Sequence, residues 1–217
     1  MSTASASADM MDGIYRYQRH IYDLTRRHYL LGRNDLIATL QPPPGGSILE
    51  VGCGTARNLI LTARRYPEAQ LYGLDISAEM LKSAQANIRA NNLEHRIRVA
   101  KADATRFDAE ALFERAMFDR VFCSYSLSMI PGWENALEQA CQAVAAQGEL
   151  HVVDFGQQSQ LPAWFGKALK AWLARFHVTP RERLGDAMTG LATQTGGTLS
   201  FRSIYRDYAR IGAIRLP

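Results

Sequence analysis

A chain of 217 residues, 47% of them hydrophobic, has the length for one domain with a small appended element and the apolar content for a sizeable core. Met1 to Asp9 is rich in Ser, Thr and Ala, without the basic start and long apolar run of a secretory leader, and no run of 18 apolar residues argues for a spanning helix. Cys53, Cys123 and Cys141 are odd in number, without close pairing or metal-ligand spacing, so reduced structural thiols of a cytosolic protein and no metal site are expected. The net charge of +4 is modest but uneven: Arg16, Arg19, Arg26, Arg27 and Arg33 crowd the N-terminal region with His20 and His28. Such a cluster suits anionic lipid, nucleic acid or an acidic substrate, although a solvated helix face is the commoner case.

In chain order, residues 1–12 read as a loose tail. Tyr15 to Leu40 reads as one or two helices broken near Gly32, an N-terminal helical piece over 13–41, and Pro42-Pro43-Pro44-Gly45-Gly46 separates it from the main domain over 42–217. Strand-like runs then alternate with amphipathic stretches. Strands are expected over Ser47–Gly52, Gln70–Asp75, Arg96–Ala102, Phe118–Tyr125 and Glu149–Phe155. Helices are expected over Arg57–Tyr66, from the Ser77 cap to Asn91, over Ala109–Arg115, Glu134–Ala146, Leu161–Phe176 and Pro180–Thr195. Thr198–Asp207 and Tyr208–Arg215 alternate like two antiparallel closing strands. This order predicts an α/β chain of Rossmann-like type: a seven-stranded, mostly parallel sheet with an antiparallel C-terminal pair, helices on both faces, and an N-terminal helical lid.

Ligands of such sheets bind beyond the carboxyl ends of the strands, where strand order reverses. Glu50-Val51-Gly52-Cys53-Gly54 ends the first strand, and glycines there permit tight turns and close approach of a ligand. A dinucleotide fingerprint would need glycine at position 57, which is Arg57. An S-adenosylmethionine loop reads acidic-x-G-x-G-x-G, matched by Glu50, Gly52 and Gly54, with Ala56 as a small stand-in for the last glycine. Glu50 would order the loop and the cofactor ammonium group, with Cys53 inside the loop. Asp75, followed by Ile76, suits the ribose hydroxyls, and Asp103 suits the adenine amino group with the Ala104 backbone on the ring. Each Asp taken singly is as often a cap or turn residue. Together with Ser124 at the end of the fourth strand, they point to a class I S-adenosylmethionine-dependent methyltransferase.

The chain resembles bacterial diacylglyceryl-homoserine N-methyltransferases, the second enzyme of betaine-lipid synthesis. The resemblance is carried by Tyr22-Asp23-Leu24-Thr25-Arg26-Arg27-His28-Tyr29, by Ser124-Tyr125-Ser126-Leu127-Ser128-Met129-Ile130-Pro131, by His151-Val152-Val153-Asp154-Phe155-Gly156 and by Phe176-His177-Val178-Thr179-Pro180-Arg181. It runs from about Tyr15 to Tyr208, and departs from the pattern at Ala56 and Ala102, where glycine is usual. A methyl group at Ala56 would lie close to the cofactor and strain a backbone with positive φ. The resemblance implies three successive methyl transfers to the homoserine amine of a lipid, a lipid-linked substrate, and a cytoplasmic protein with peripheral contact to the inner membrane face.

A free alkyl amine is largely protonated at neutral pH, with a pKa of about 10. It must shed a proton before each in-line attack, and bulk water serves as well as a dedicated base. As methyls accumulate, aromatic faces suit the fixed charge better than carboxylates. Tyr22 and Tyr29, seven apart on one helical face, Tyr125 and Ser126 are therefore the candidate amine-site residues, with Tyr17 as another possibility, although core or rim packing is the commoner place for a tyrosine. His151 and His177 are weaker candidates for taking a proton, since a lone histidine is more often structural. Trp164, Phe165, Ala168, Leu169, Trp172, Leu173 and Phe176 share one helical face with Lys167, Lys170 and Arg175 off it, the pattern of an interfacial helix and equally of one covering a sheet. Alternative readings are a small soluble acceptor such as phosphoethanolamine and a non-catalytic cofactor-binding module. Base methylation is disfavoured, because Ser124-Tyr125-Ser126-Leu127 stands where such enzymes commonly carry Asn/Asp-Pro-Pro-aromatic, so no nucleic-acid partner is expected.

Overall fold

The structure, a computed structural model, describes residues 30–217. The tail, most of the expected N-terminal helices, and with them Tyr17, Tyr22, Tyr29 and Arg16 to Arg27, lie outside the described residues. Strands β1 (Ser47–Val51), β2 (Gln70–Asp75), β3 (Ile97–Lys101), β4 (Phe118–Ser124), β5 (Val144–Phe155), β6 (Thr198–Ile204) and β7 (Ala209–Arg215) form one sheet in the order β3-β2-β1-β4-β5-β7-β6. All pairings among β1 to β5 are parallel, and β7 runs antiparallel between β5 and β6. The predicted Rossmann-like α/β sheet with its C-terminal antiparallel pair is what the chain forms.

Every residue of β1 is buried, as expected of a central parallel strand covered on both faces. Leu49 and Val51 pack with Val121, Cys123 and Val152 against α4 (Ala109–Phe113), α5 (Trp133–Gln142) and α7 (Leu184–Thr195). On the opposite face Ile48, Phe122 and Val153 meet α1 (Arg33–Thr39) and α6 (Ala163–Ala174). Leu71 and Ile97 meet α2 (Arg57–Arg65) and α3 (Ala78–Ala90) there. Gly32, with φ +82°, turns the chain into α1, and a Cβ on it would run into Ile204 Cδ1.

Three boundaries and one burial expectation are corrected. The helix expected to Ala146 stops at Gln142, and Val144 is already strand. Val144 pairs with Phe118, then the register slips so that Glu149 pairs with Arg120, and Gln147 takes φ +61° in the intervening bulge. The helix expected from Pro180 starts at Leu184, because the Thr179 N–H donates to the Ser128 carbonyl and Arg181 reaches back to the same loop. β6 stops at Ile204, where Tyr205, Arg206 and Asp207 take positive φ in succession to turn the chain. Arg33 is 7% exposed rather than part of a solvated face. Among the described residues no helix is long and apolar enough to cross a membrane.

Candidate active site

Strand order reverses between β1 and β4, which places a crevice beyond their carboxyl ends. The glycine loop is folded over the end of β2: the Gly52 and Cys53 N–H groups both donate to the Leu74 carbonyl at 2.9 Å. Gly52 has φ +80°, and a Cβ there would stand 2.6 Å from Ser126 Cβ, so glycine lets this loop meet the chain leaving β4. Gly54 has φ +52° with nothing within 4 Å of where its Cβ would be, which leaves an open face for a ligand. Its N–H donates to Asp75 Oδ2 at 2.8 Å, while Asp75 Oδ1 accepts the Ser77 N–H at 2.9 Å. Ser77 in turn caps α3 by accepting the Met80 N–H. Asp75 thus joins the loop to the start of a helix, with half-buried Ile76 between its two contacts.

Glu50 is 1% exposed and accepts a hydrogen bond at 2.6 Å from Asn58 Nδ2, on the second residue of α2, a partner the sequence did not point to. Ala56 has φ +63° and no exposed surface. Its methyl group packs with Leu59, Ile60, Leu81 and Ala84 inside the α2–α3 cluster, not on the open face of Gly54. The expected backbone strain is therefore there. Ala102 keeps an ordinary φ. Asp103 Oδ1 accepts from the Thr105 N–H and hydroxyl at 3.0 and 2.8 Å, a turn that buries Ala104 beside the end of β3.

On β4, Ser124 is 5% exposed, and its hydroxyl has no partner among the described residues. Tyr125 follows with φ +55°, 1% exposed, its ring edge-on to Phe155 with centroids 4.7 Å apart and its hydroxyl donating to the Leu31 carbonyl. The side chain lies beneath the start of α1, and burial first, then the Asp154 charge, raises its pKa well above the usual phenol value. Buried Ser126 lies against Gly52 instead. His151 is inside β5, its ring nitrogen 2.9 Å from Glu149, whereas His177 is exposed beyond α6.

The crevice is electronegative. Burial raises the Cys53 thiol, and the Asp75 and Glu50 charges push it further; burial, then Asp154 and Glu50, do the same to Cys123. Burial, helped by these carboxylates near the ends of β1, β2 and β5, thus keeps both thiols protonated, and the carboxylates favour a cation. Asp154 and Arg181 were not singled out by sequence, since their partners are backbone groups of the post-β4 turn many residues away.

Comparison with known proteins agrees with this geometry. Residues 48–148 match the family described as methyltransferase domain. The chain is 31% identical over 125 residues to ribosomal RNA small subunit methyltransferase C of Stutzerimonas stutzeri, covering 57% of this chain and 36% of that protein. It is 29% identical over 136 residues to the demethylmenaquinone methyltransferase of Geobacillus stearothermophilus, covering 62% and 52%. It therefore spans about a third to a half of these relatives' lengths. Phosphoethanolamine N-methyltransferase 2 of Haemonchus contortus, solved with S-adenosyl-L-methionine, superposes with a TM-score of 0.68 at 15% identity, over 85% of this chain and 52% of that one. The fold is that of the Rossmann-like class I methyltransferases. Residues 48–148, a little under half of the chain, thus match a methyltransferase domain, and the Haemonchus contortus protein of similar fold was solved with S-adenosyl-L-methionine.

The residues present fit that cofactor. Gly54 offers an open face, the Ser124 hydroxyl is buried with no partner among the described residues, and the acidic end of the sheet suits a ligand bearing both sulfonium and ammonium charges.

Proposed function

We propose that this protein is an S-adenosylmethionine-dependent N-methyltransferase whose acceptor is the homoserine amine of diacylglyceryl-homoserine, trimethylated to a betaine lipid. The observation that carries the methyl-transfer reading is Asp75, whose carboxylate holds the open-faced Gly54 amide on one side and the start of α3 on the other. In this reading Glu50 and Gly54 meet the methionine end of the cofactor, and the Asp75 carboxylate at the end of β2 meets its ribose. Asp103, the Ala104 backbone and Ser124 complete the pocket. The cofactor supplies an electrophilic methyl group on sulfur. The chain would hold the acceptor amine near that methyl group and aligned with it, and the amine would shed its proton to water beforehand.

Tyr22, Tyr29 and Ser126 remain the proposed amine contacts. Tyr125, with its hydroxyl held by Leu31, supports the wall behind them. The acceptor assignment draws on the resemblance carried by the segments around Ser124, His151 and Phe176, and on the face of α6. Phe165, Leu169, Trp172 and Phe176 are only half-buried, Trp164 is 71% exposed, and Lys167, Lys170 and Arg175 flank them, which complements an anionic bilayer. A soluble phosphoethanolamine-like acceptor is the second reading, favoured by the similarity in fold to the Haemonchus contortus enzyme.

The test mixes the full chain with methyl-labelled cofactor, diacylglyceryl-homoserine vesicles and a soluble amine pool. Label in the lipid with one to three added methyls supports the proposal. Label in a water-soluble amine replaces it with the second reading. Cofactor binding without any label leaves only a binding module.

A further inference from the structure

The turn that leaves β4 is held from two sides by oppositely charged residues. Asp154, near the end of β5, has no exposed surface; its Oδ2 accepts the Ser128 N–H at 2.9 Å and its Oδ1 the Phe155 N–H at 2.8 Å. Half-buried Arg181, beyond α6, donates through Nε to the Leu127 carbonyl and through Nη2 to the Ile130 carbonyl, both at 3.0 Å. Its guanidinium carbon stands 5.9 Å from the ring centre of Trp133. The Thr179 N–H donates to the Ser128 carbonyl at 2.9 Å. An amide of the turn is thus bound to an anion in the sheet, and three of its carbonyls are bound to the segment that follows α6.

A buried carboxylate with a nearby guanidinium is a weak source of stability, because desolvation offsets most of the attraction. What such groups do well is fix one backbone geometry. The geometry here matters at both ends of the turn. Ser126 at its start is the residue against which Gly52 packs, and Met129 at its end shares Met80 with Phe176 from beyond α6. The turn therefore connects the glycine loop, the start of α3 and the aromatic face of α6.

We propose that Asp154 and Arg181 are positioning residues for methyl transfer: they hold the Ser126–Ile130 turn, and with it α6, in register with the cofactor crevice so that the acceptor meets the methyl group in line. This rests on the methyltransferase reading above. It predicts an effect on the acceptor step and little on cofactor binding.

The experiment uses the full chain and the variants Asp154→Asn, Arg181→Gln and the double variant. Calorimetry measures affinity for S-adenosylhomocysteine, and amide hydrogen exchange follows residues 126–131. Steady-state transfer is measured with the acceptor that the wild type labels. Both single variants are expected to speed exchange in the turn at least tenfold, to leave β4 and β5 exchange and S-adenosylhomocysteine affinity within threefold, and to lower kcat/KM for the acceptor at least tenfold at unchanged cofactor KM. The double variant should lose little more than either single one, since both hold the same turn. Unchanged exchange in the turn, or a loss of cofactor affinity as large as the loss of transfer, overturns the proposal. If Asp154→Asn fails to fold, Arg181→Gln decides alone. A wild type that binds S-adenosylhomocysteine but labels no acceptor removes the transfer role together with the reading it rests on, and is recognised because no variant is involved.

Discussion

At Ala56 three small terms compete. A left-handed alanine costs about 1–2 kcal/mol. Glycine would relieve that, but would lose about 0.8 kcal/mol for the buried methyl and about 0.4–1 kcal/mol through the freer unfolded chain. The terms nearly cancel, so Ala56→Gly should change the urea unfolding free energy by less than about 1 kcal/mol. Because that methyl packs with Leu59 and Leu81, S-adenosylhomocysteine affinity should change by less than about threefold. Asp75 contrasts with this. Both of its oxygens accept backbone N–H groups, and Asn would turn a donor toward one of them. Losing a charge-assisted bond costs about 1.5–3 kcal/mol, so Asp75→Asn should weaken S-adenosylhomocysteine binding by about 10- to 100-fold in calorimetry. An unchanged dissociation constant would remove Asp75 from the site. The cap at Ser77 was legible because an N-cap acts on an amide three residues ahead. The burial of Tyr125 was not, because its hydroxyl partner, Leu31, is 94 positions away.

Elements were legible wherever one pattern dominated, as in β2, whose span Gln70–Asp75 is the predicted one. They were not where patterns overlap. Val144-Ala145-Ala146 reads equally as the end of a helix or the start of a strand, and the slip in register that decides it depends on β4. That irregular start of β5 carries Glu149, clustered with His151 at 2.9 Å, Arg215 at 2.5 Å and Arg120 at 4.0 Å. The hydrogen bond with His151 first, and that from Arg215 next, hold its pKa down to about 2 against the opposing effect of burial. A carboxylate whose folded pKa is depressed adds stability above its unfolded value, near 4.3, and loses it as pH falls toward the folded value. Asp207, which accepts hydrogen bonds from Ser159, Ser203 and Arg210 at the β6–β7 turn, is lowered in the same direction. The urea midpoint should therefore fall between about pH 4.3 and pH 2. Glu149→Gln should flatten that limb by up to about 3 kcal/mol, the equivalent of roughly two pKa units. An acid limb identical to that of the wild type would show that Glu149 does not drive it.

At the scale of the whole molecule, the order of the strands sets where chemistry can occur, and the alternation of runs along the chain made that order readable. What the alternation left open was the face α6 turns outward, since covering a sheet and lying on a bilayer need the same helical stripe. The structure divides that stripe. Leu173 is buried, and Trp172 is half-buried with its ring 5.0 Å from Phe176, so truncating either would test packing as much as membrane contact. Trp164 is 71% exposed and is the cleaner probe. If α6 meets a membrane, inserting most of an indole contributes about 1–2 kcal/mol. Trp164→Ala should then lower the partition of the full chain onto anionic vesicles by about 5- to 30-fold, with no change in thermal midpoint or S-adenosylhomocysteine affinity. Lys167→Glu with Lys170→Glu should weaken binding further and make what remains less sensitive to salt, because each basic side chain near an anionic surface contributes about 1 kcal/mol. Sedimentation that none of these substitutions alters would sink the membrane reading, and an acceptor dissolved in water would then fit the open face of α6 better.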